Sequence, residues 1–541
     1  MLVAASPAFA RLATSEDAGL AYMEARAAAI SGDHARSADL LGALAQAAPQ
    51  DSDLARKALT EALGAGNIPL ALKLTSNVAP AKLPIEARLL LVTEAVRQHR
   101  TDRALQWLQV KGDTGDLSFL SPLIIAWDNA DRGQADAALK ALDAIPNNSL
   151  LTPLLAEERA LILLKFKRTA EAEPYARRAI GAAAAREARL RFALADGFLA
   201  AGDRARAQIM LDGLNIDSPL AVQRIKSGKP SGQAIDSSTK ALGEVLTAFA
   251  ADVARIQRVA PPIGMVEVAR YANPQSSSTA MLLALLLNNQ DRTDEALATL
   301  QPIPRDDALI GPVRDIQVKI LSDANRYDAA YAIAAPAAAA PTAGASDFSR
   351  LGDLLQAMKR SGAAADAYGR AVALDANSAD KSDLWSLLLL QADALQAAGR
   401  WNEARTTLER ALVLAPDQPL LLNFLGYGKL ERGEDVDAAE AMIRKASELA
   451  PDDASITDSL GWAEFKRGKV TEAISTLQRA AEKDPDQAEI QEHLGDALFR
   501  AGRRMEARFA WSAALVTAED DIAARVKAKL QTGLTGANGA P

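Results

Sequence analysis

Residues 458–485 read Asp458-Ser-Leu-Gly-Trp-Ala-Glu-Phe-Lys-Arg-Gly-Lys-Val-Thr-Glu-Ala-Ile-Ser-Thr-Leu-Gln-Arg-Ala-Ala-Glu-Lys-Asp-Pro485, and the reading of this stretch decides the fold. Gly468 divides it into two helical segments and Pro485 ends the second. A glycine there takes the left-handed conformation that closes a helix. A proline pushes the residue before it out of helical geometry. The same frame returns in segments beginning at Trp385, Pro419, Ala454 and Ala488, spaced by 34, 35 and 34 residues. A Leu-Gly pair recurs in the first helix as Leu425-Gly426, Leu460-Gly461 and Leu494-Gly495. Turn glycines follow at Gly433, Gly468 and Gly502, with Gly399 in the matching place of the first repeat. The second helix repeats small residues at Ala404, Ala439, Ala473 and Ala507, and again at Ala411, Ala446, Ala480 and Ala514. Bulky residues stand between them at Leu408, Ile443, Leu477 and Trp511, and three repeats close with Pro416, Pro451 and Pro485.

Each recurring type has a physical reason. Small residues on both helices let the antiparallel pair approach closely, and the bulky ones are expected to fill the groove between neighbouring repeats. One repeat cannot bury its own apolar face, so neighbours must stack into a continuous core. The period and pattern resemble the tetratricopeptide repeat (TPR). The fold class expected is therefore all-α, an α-solenoid of antiparallel helix pairs. Upstream the register decays: Leu351-Gly352, Leu355, Ala364, Tyr368 and Ala371 keep the spacing, with the turn glycine slid to Gly362. Gly32, Leu41, Leu44 and Pro49 fit another repeat, as do Gly133, Ala138 and Leu142, and Gly202, Ala207 and Leu211. Ala296 with Leu300 and Ala329 with Ile333 mark two more.

The expected organisation follows. A degenerate TPR-like array covers 11–215, and a loop or hinge covers 216–240, where Ser227-Gly-Lys-Pro-Ser-Gly232 breaks the pattern. Degenerate helical repeats fill 241–344, and the sharp C-terminal array 345–520. A polar capping helix at 521–531 and a disordered tail at 532–541 close the chain.

Composition narrows the function. Of 541 residues 49% are apolar and only 4% aromatic, which suits many closely packed helices. The 61 basic residues face 69 acidic ones, without the clustered basic excess that a nucleic-acid binder uses on phosphates. Apolar runs such as Ala280–Leu287 are too short for a transmembrane segment, and with no cysteine there is no disulfide, thiolate metal site or cysteine nucleophile. The first ten residues end in Ala8-Phe9-Ala10, which looks like the cleavage end of a signal peptide whose start lies upstream of Met1. A periplasmic protein is expected on that ground, the alternative being a cytoplasmic one with an Ala-rich N-terminus.

The C-terminal block carries a more specific wording: Asn423-Phe-Leu-Gly-Tyr-Gly428, Asp458-Ser-Leu-Gly-Trp-Ala463, His493-Leu-Gly-Asp496 and Gly502-Arg-Arg-Met-Glu-Ala-Arg508, with one residue inserted after Gly433. Over 384–530 it resembles a group of proteobacterial TPR proteins, some exported or lipid-anchored, some delivering substrates to a periplasmic carboxyl-terminal processing protease. The resemblance implies a non-enzymatic adaptor or scaffold with a protein or peptide partner, an envelope protease or cell-wall enzyme among the candidates. The lipobox cysteine of the anchored members is missing. The alternative is an assembly factor of the cell envelope acting through its convex face.

In TPR solenoids a partner lies in the concave groove lined by the first helices. Counting along the repeats places Asn423, Tyr427, Asp458, Trp462, Phe465, Asp496, Phe499 and Arg500 there. Tyr427, Trp462, Phe465 and Phe499 are expected as an aromatic strip on the inner wall, with Asn423, Asp458 and Arg500 as polar handles. The same helical spacing also fits packing between repeats. The positions that hold Lys and Asn in two-carboxylate clamps are here Leu389, Asn423, Asp458 and Glu492, which argues against that mode.

No catalytic constellation is visible. His34, His99 and His493 stand far apart, and no metalloprotease, nucleophile-elbow or P-loop motif occurs. Gly426-Tyr-Gly428 lacks the third glycine of a dinucleotide fingerprint, having Glu431 there. Asp128-Asn-Ala-Asp-Arg-Gly133 lacks calcium ligands at Ala130 and Arg132. Neither a cofactor nor a metal is expected.

Overall fold

The computed structural model describes residues 15–111, 115–214, 218–257, 263–376 and 384–535. Among them every regular element is a helix, and the chain divides into two compact units, 1–343 and 344–541. None of these helices is long and apolar enough to cross a membrane. The fold is an all-α solenoid of helix pairs.

One backbone feature carries the repeat through both units. Among the described residues the turn inside a pair holds a residue at positive φ, and the turn between Glu431 and Val436 holds two, Gly433 and Asp435. In the N-terminal unit these are Gly32, Gly66, His99, Gly133, Lys167 and Gly202, then Asp291 and Asn325. In the C-terminal unit they are Lys359, Gly399, Gly433, Gly468 and Gly502. Five of the places therefore hold a side chain where the repeat favours glycine. Lys359 makes the turn expected of Gly362, which instead lies inside the helix Ser361–Asp375. Arginines often follow directly. Arg168 and Arg400 each pair with a glutamate three residues on (Glu171, Glu403), and with an aspartate of the preceding pair (Asp136, Asp366).

The C-terminal unit stacks five pairs: Ala345–Ala357 with Ser361–Asp375, Leu384–Ala397 with Trp401–Leu414, Pro419–Glu431 with Val436–Leu449, Ala454–Lys466 with Val470–Lys483, and Ala488–Arg500 with Arg504–Thr517. The closing helix Asp520–Thr532 follows. The recurring glycine and the recurring bulky residue prove to be partners within one pair. A Cβ on Gly426 would lie 2.8 Å from Ile443 Cγ1, and one on Gly461 2.7 Å from Leu477 Cγ, while Gly495 sits under the Trp511 ring. This corrects the expected place of the bulky residues: they seal their own pair against its glycine. Ile443, Leu477 and Trp511 are fully buried there, and each such side chain contributes roughly 2–3 kcal/mol of apolar burial.

The N-terminal unit differs from expectation in two ways. First, 216–240 is not a free hinge. Residues Pro219–Lys226 form a helix, and the loop after it is pinned by Asp196, which is 1% exposed. The Asp196 carboxylate accepts from Ser231 N (2.6 Å), Ser231 Oγ (2.9 Å), Gly232 N (2.8 Å) and Gln233 N (2.7 Å). A buried carboxylate needs this many donors to offset its lost hydration. Second, the block expected at 241–344 belongs, up to Ala343, to the same compact unit as the array before it. The core that starts at Ala25 takes in Leu242, Val245, Leu246, Val268 and Leu309, while a second core gathers Ala250, Ile263 and residues from Leu283 to Ile320.

The reason is a pair of helices, Ser238–Gln257 and Ile263–Ala272, laid across the face made by the first helices Ser52–Gly64, Ile85–Arg97 and Ser121–Asp131. Phe249 meets Phe119 at 5.9 Å. Tyr271 donates its hydroxyl to Glu94 (2.7 Å), and Arg97 stacks 4.4 Å over the Tyr271 ring while donating to its carbonyl (2.8 Å). Glu244 makes a buried ion pair with Arg189 at 2.7 Å. The inner face of this unit is occupied by its own chain. The signal-like residues 1–10 lie outside the described residues, as does the tail from 536 onward; Thr532 completes the closing helix.

Candidate inner-face cleft of the C-terminal unit

Four first helices of the C-terminal unit, Leu384–Ala397, Pro419–Glu431, Ala454–Lys466 and Ala488–Arg500, line a cavity of about 430 Å³. Pro419 stands at the first turn of its helix, where a missing N–H costs nothing. Asp453 caps the next by accepting from Ile456 N at 2.9 Å. Those starts set which side chains turn inward.

The expected groove residues divide into three groups. Asn423, Tyr427 and Asp458 all line the cavity. Trp462 and Phe465 do not form an open wall: they are 7% and 5% exposed. Phe465 stacks on Trp462 at 5.2 Å and Trp462 on His493 at 3.9 Å, bridging the last two pairs. The indole also donates to Glu431 Oε1 (2.8 Å). Arg500 is exposed, its guanidinium 5.7 Å from the Phe465 ring. Asp496 is covered by the closing helix: it accepts from Lys529 Nζ (2.7 Å) and Trp511 Nε1 (2.9 Å), while Glu492 holds Lys529 and Arg525. Phe499 is half-buried, 5.4 Å from Trp511 and against Gly533. The expected aromatic strip is thus corrected to Tyr427 at the cavity, a buried stack beside it and a covered end.

Position counting applied to the repeat at Trp385 identifies two residues passed over, Asp393 and Gln396, at its ninth and twelfth places; Glu489 holds the second place of the last repeat. All three line the cavity with the half-buried Phe424. The buried amide oxygens Oδ1 of Asn423 and Oε1 of Gln396 have no hydrogen-bond partner among the described residues. Unmade bonds of this kind are uncommon in folded proteins.

Charge shapes the site further. Burial works against a charge on His493, but Asp458, with its ion pair at 2.9 Å, outweighs it and raises the imidazole to about 9. Burial and the carboxylates of Glu489, Glu431 and Asp458 hold the Tyr427 hydroxyl protonated well above its ordinary range. Among the described residues no three metal-binding side chains come together.

Comparison with known proteins places this unit. Residues 385–428 match the Tetratricopeptide repeat family and 461–502 match the TPR repeat family. Two stretches of the C-terminal unit therefore match tetratricopeptide repeats, and both fall on its stacked helix pairs. No curated protein matches the chain. Among solved structures, a thermophilic TPR protein of Thermus thermophilus is similar at 22% identity, over 35% of this chain and 100% of that one, with a TM-score of 0.31. A tetratricopeptide repeat protein from Parabacteroides merdae ATCC 43184 is similar at 12% identity, over 48% and 100%, TM-score 0.40. MamA from Desulfovibrio magneticus RS-1 is similar at 18% identity, over 32% and 94%, TM-score 0.27.

Proposed function

We propose that the protein is a non-enzymatic adaptor whose C-terminal unit binds an extended segment of a partner protein along its inner face. The observation that carries this reading is the cavity at Asn423, Tyr427 and Asp458, where two buried amide oxygens have no partner among the described residues. A polypeptide backbone supplies N–H donors at the spacing of successive side chains, which suits a wall of amides on stacked helices. Delivery of substrates to an envelope protease is the finer form of the proposal, supported by the resemblance over 384–530 and by Ala8-Phe9-Ala10. The test is selection of binders from a displayed random peptide library by the full chain. Binders lost on Asn423→Ala/Tyr427→Ala, with unchanged circular dichroism, support the groove; binders indifferent to that variant sink it.

A second reading, assembly through the second helices, is favoured by a row of leucines. Leu374, Leu414 and Leu449 are 44%, 45% and 45% exposed at the C-terminal ends of three successive second helices. Analytical ultracentrifugation decides it: a self-associating chain that becomes monomeric on Leu414→Ser/Leu449→Ser supports this reading, and a monomeric native chain removes its self-assembly form.

A further inference from the structure

We propose that the inner-face cavity of the C-terminal unit recognises a basic side chain of the bound segment, arginine in preference to lysine. The inference rests on the groove reading above and names the chemistry the groove selects.

The lining is one-sided. It contains Asp393, Asp458 and Glu489 and no lysine or arginine. Asp458 is already paired with the His493 imidazolium, so the further negative charge comes from the other two, Glu489 within the field of His493 and Arg525 but in no ion pair with either. Neither Asp393 nor Glu489 has an ion-pair partner among the described residues; Asp393 accepts only a neutral amide N–H, from Gln356 Nε2 at 3.0 Å. The cations nearby are committed elsewhere, Lys529 and Arg525 to Glu492 and Lys466 to Glu431. The unmet hydrogen-bonding capacity has the same sense, since the orphan atoms of Asn423 and Gln396 are both acceptors. What completes such a site is a group made only of donors carrying positive charge.

The apolar part of the lining fits the rest of that side chain. Leu389, Leu390 and Leu420 form a rim on which an aliphatic stem can lie while its head reaches the carboxylates. Phe424 and Tyr427 stand beside the acceptors and offer rings to a planar cation. A guanidinium presents five N–H donors in a fixed plane and stacks on aromatic faces, whereas an ammonium presents three on a point charge. The ordering of arginine above lysine follows from that difference.

The experiment uses the peptide selection just described with the full native chain, beside Asp393→Asn/Glu489→Gln and Asn423→Ala/Tyr427→Ala. Expected is a single arginine enriched at a fixed place in the selected peptides. Replacing it by lysine weakens binding severalfold, and by norleucine about tenfold or more. The Asp393→Asn/Glu489→Gln chain should lose the same factor for the arginine peptide and nothing for the norleucine one, and added salt should narrow the gap. Peptides that depend on Asn423 and Tyr427 yet show no basic preference overturn this inference while leaving the groove reading intact. Peptides indifferent to Asn423→Ala/Tyr427→Ala, or no binder at all, overturn both.

Discussion

The two units use the inner face of one repeat architecture in opposite ways. In the N-terminal unit the face is covered by Ser238–Gln257 and Ile263–Ala272, and its polar groups are spent within the chain: Arg189 on Glu244, Glu94 on Tyr271, Asp196 on the loop at Ser231. In the C-terminal unit the closing helix covers the last pair, and the cavity upstream keeps two amide oxygens without partners among the described residues. A first-helix face is thus a surface of intermediate character. Cover it and its charged residues become structural. Leave it open and equivalent residues become available to another molecule.

The largest effects should come from breaking the covered face. Glu244→Ala leaves Arg189 buried with no counter-ion, which typically costs about 3–5 kcal/mol. Hydrogen exchange of the full chain should show protection lost across 1–343 and retained across 344–541. The matching change on the open face, Asp393→Asn/Glu489→Gln, should alter stability by less than about 0.5 kcal/mol. Neither carboxylate has an ion-pair partner among the described residues, and the asparagine that replaces Asp393 keeps an acceptor oxygen for the Gln356 amide. Comparable losses from both variants would erase the distinction between the units.

Acidity sharpens the same contrast. His493 is raised to about 9 by Asp458 against the opposing effect of burial. A raised pKa means that its contribution is complete below the unfolded value near 6.5 and disappears as pH rises through 9, on the order of 3 kcal/mol at most. Urea unfolding of the C-terminal unit should therefore weaken between pH 6.5 and 9, and His493→Gln should flatten that slope. In the N-terminal unit Glu158 is raised to about 8, mainly by burial and then by Glu157, while it accepts the Trp127 indole N–H at 2.6 Å. Its protonated form is the one the fold prefers, so stability is full below about 4.5 and is lost as pH rises through 8. Glu158→Gln keeps the acceptor without the charge and should stabilise this unit by about 2 kcal/mol at pH 8, and by little at pH 5. An equal gain at both pH values would show that charge is not what Glu158 contributes.

Much of the C-terminal unit was legible in the sequence because its pattern maps onto contacts: Gly461 is glycine since Leu477 occupies the space of its Cβ. The covering of the N-terminal face was not legible. Periodicity shows that Ser238–Gln257 has an apolar side, not which surface receives it. The same limit governs the site. Counting positions found Asn423, Tyr427 and Asp458, and reaches Asp393 and Gln396 in the repeat at Trp385. It cannot show that His493, 35 residues beyond Asp458, seals Trp462, or that Lys529 arrives over Asp496. Position on a helix gives the direction of a side chain; the next repeat decides whether that direction leads to solvent.

The degenerate repeats were hidden for a related reason, and the smallest predicted effect addresses it. At His99, Lys167, Asp291, Asn325 and Lys359 the turn keeps its left-handed residue without keeping glycine, so the period survives in the backbone after it has faded from the sequence. Stacking of neighbouring pairs fixes the turn, and the side chain bears the local strain, roughly 1–2 kcal/mol for a residue with a Cβ. Lys359 tests this directly, having φ of 57° where Gly399 in the next pair has 75°. Lys359→Gly removes the strain but gives the unfolded chain more freedom, so the net gain should be about 0.5–1 kcal/mol. Gly399→Lys should lose a similar amount, both read from chemical unfolding of the C-terminal unit. A loss at both positions would mean that Lys359 makes a contact worth more than its strain, and the turns would then be alike in shape without being alike in energy.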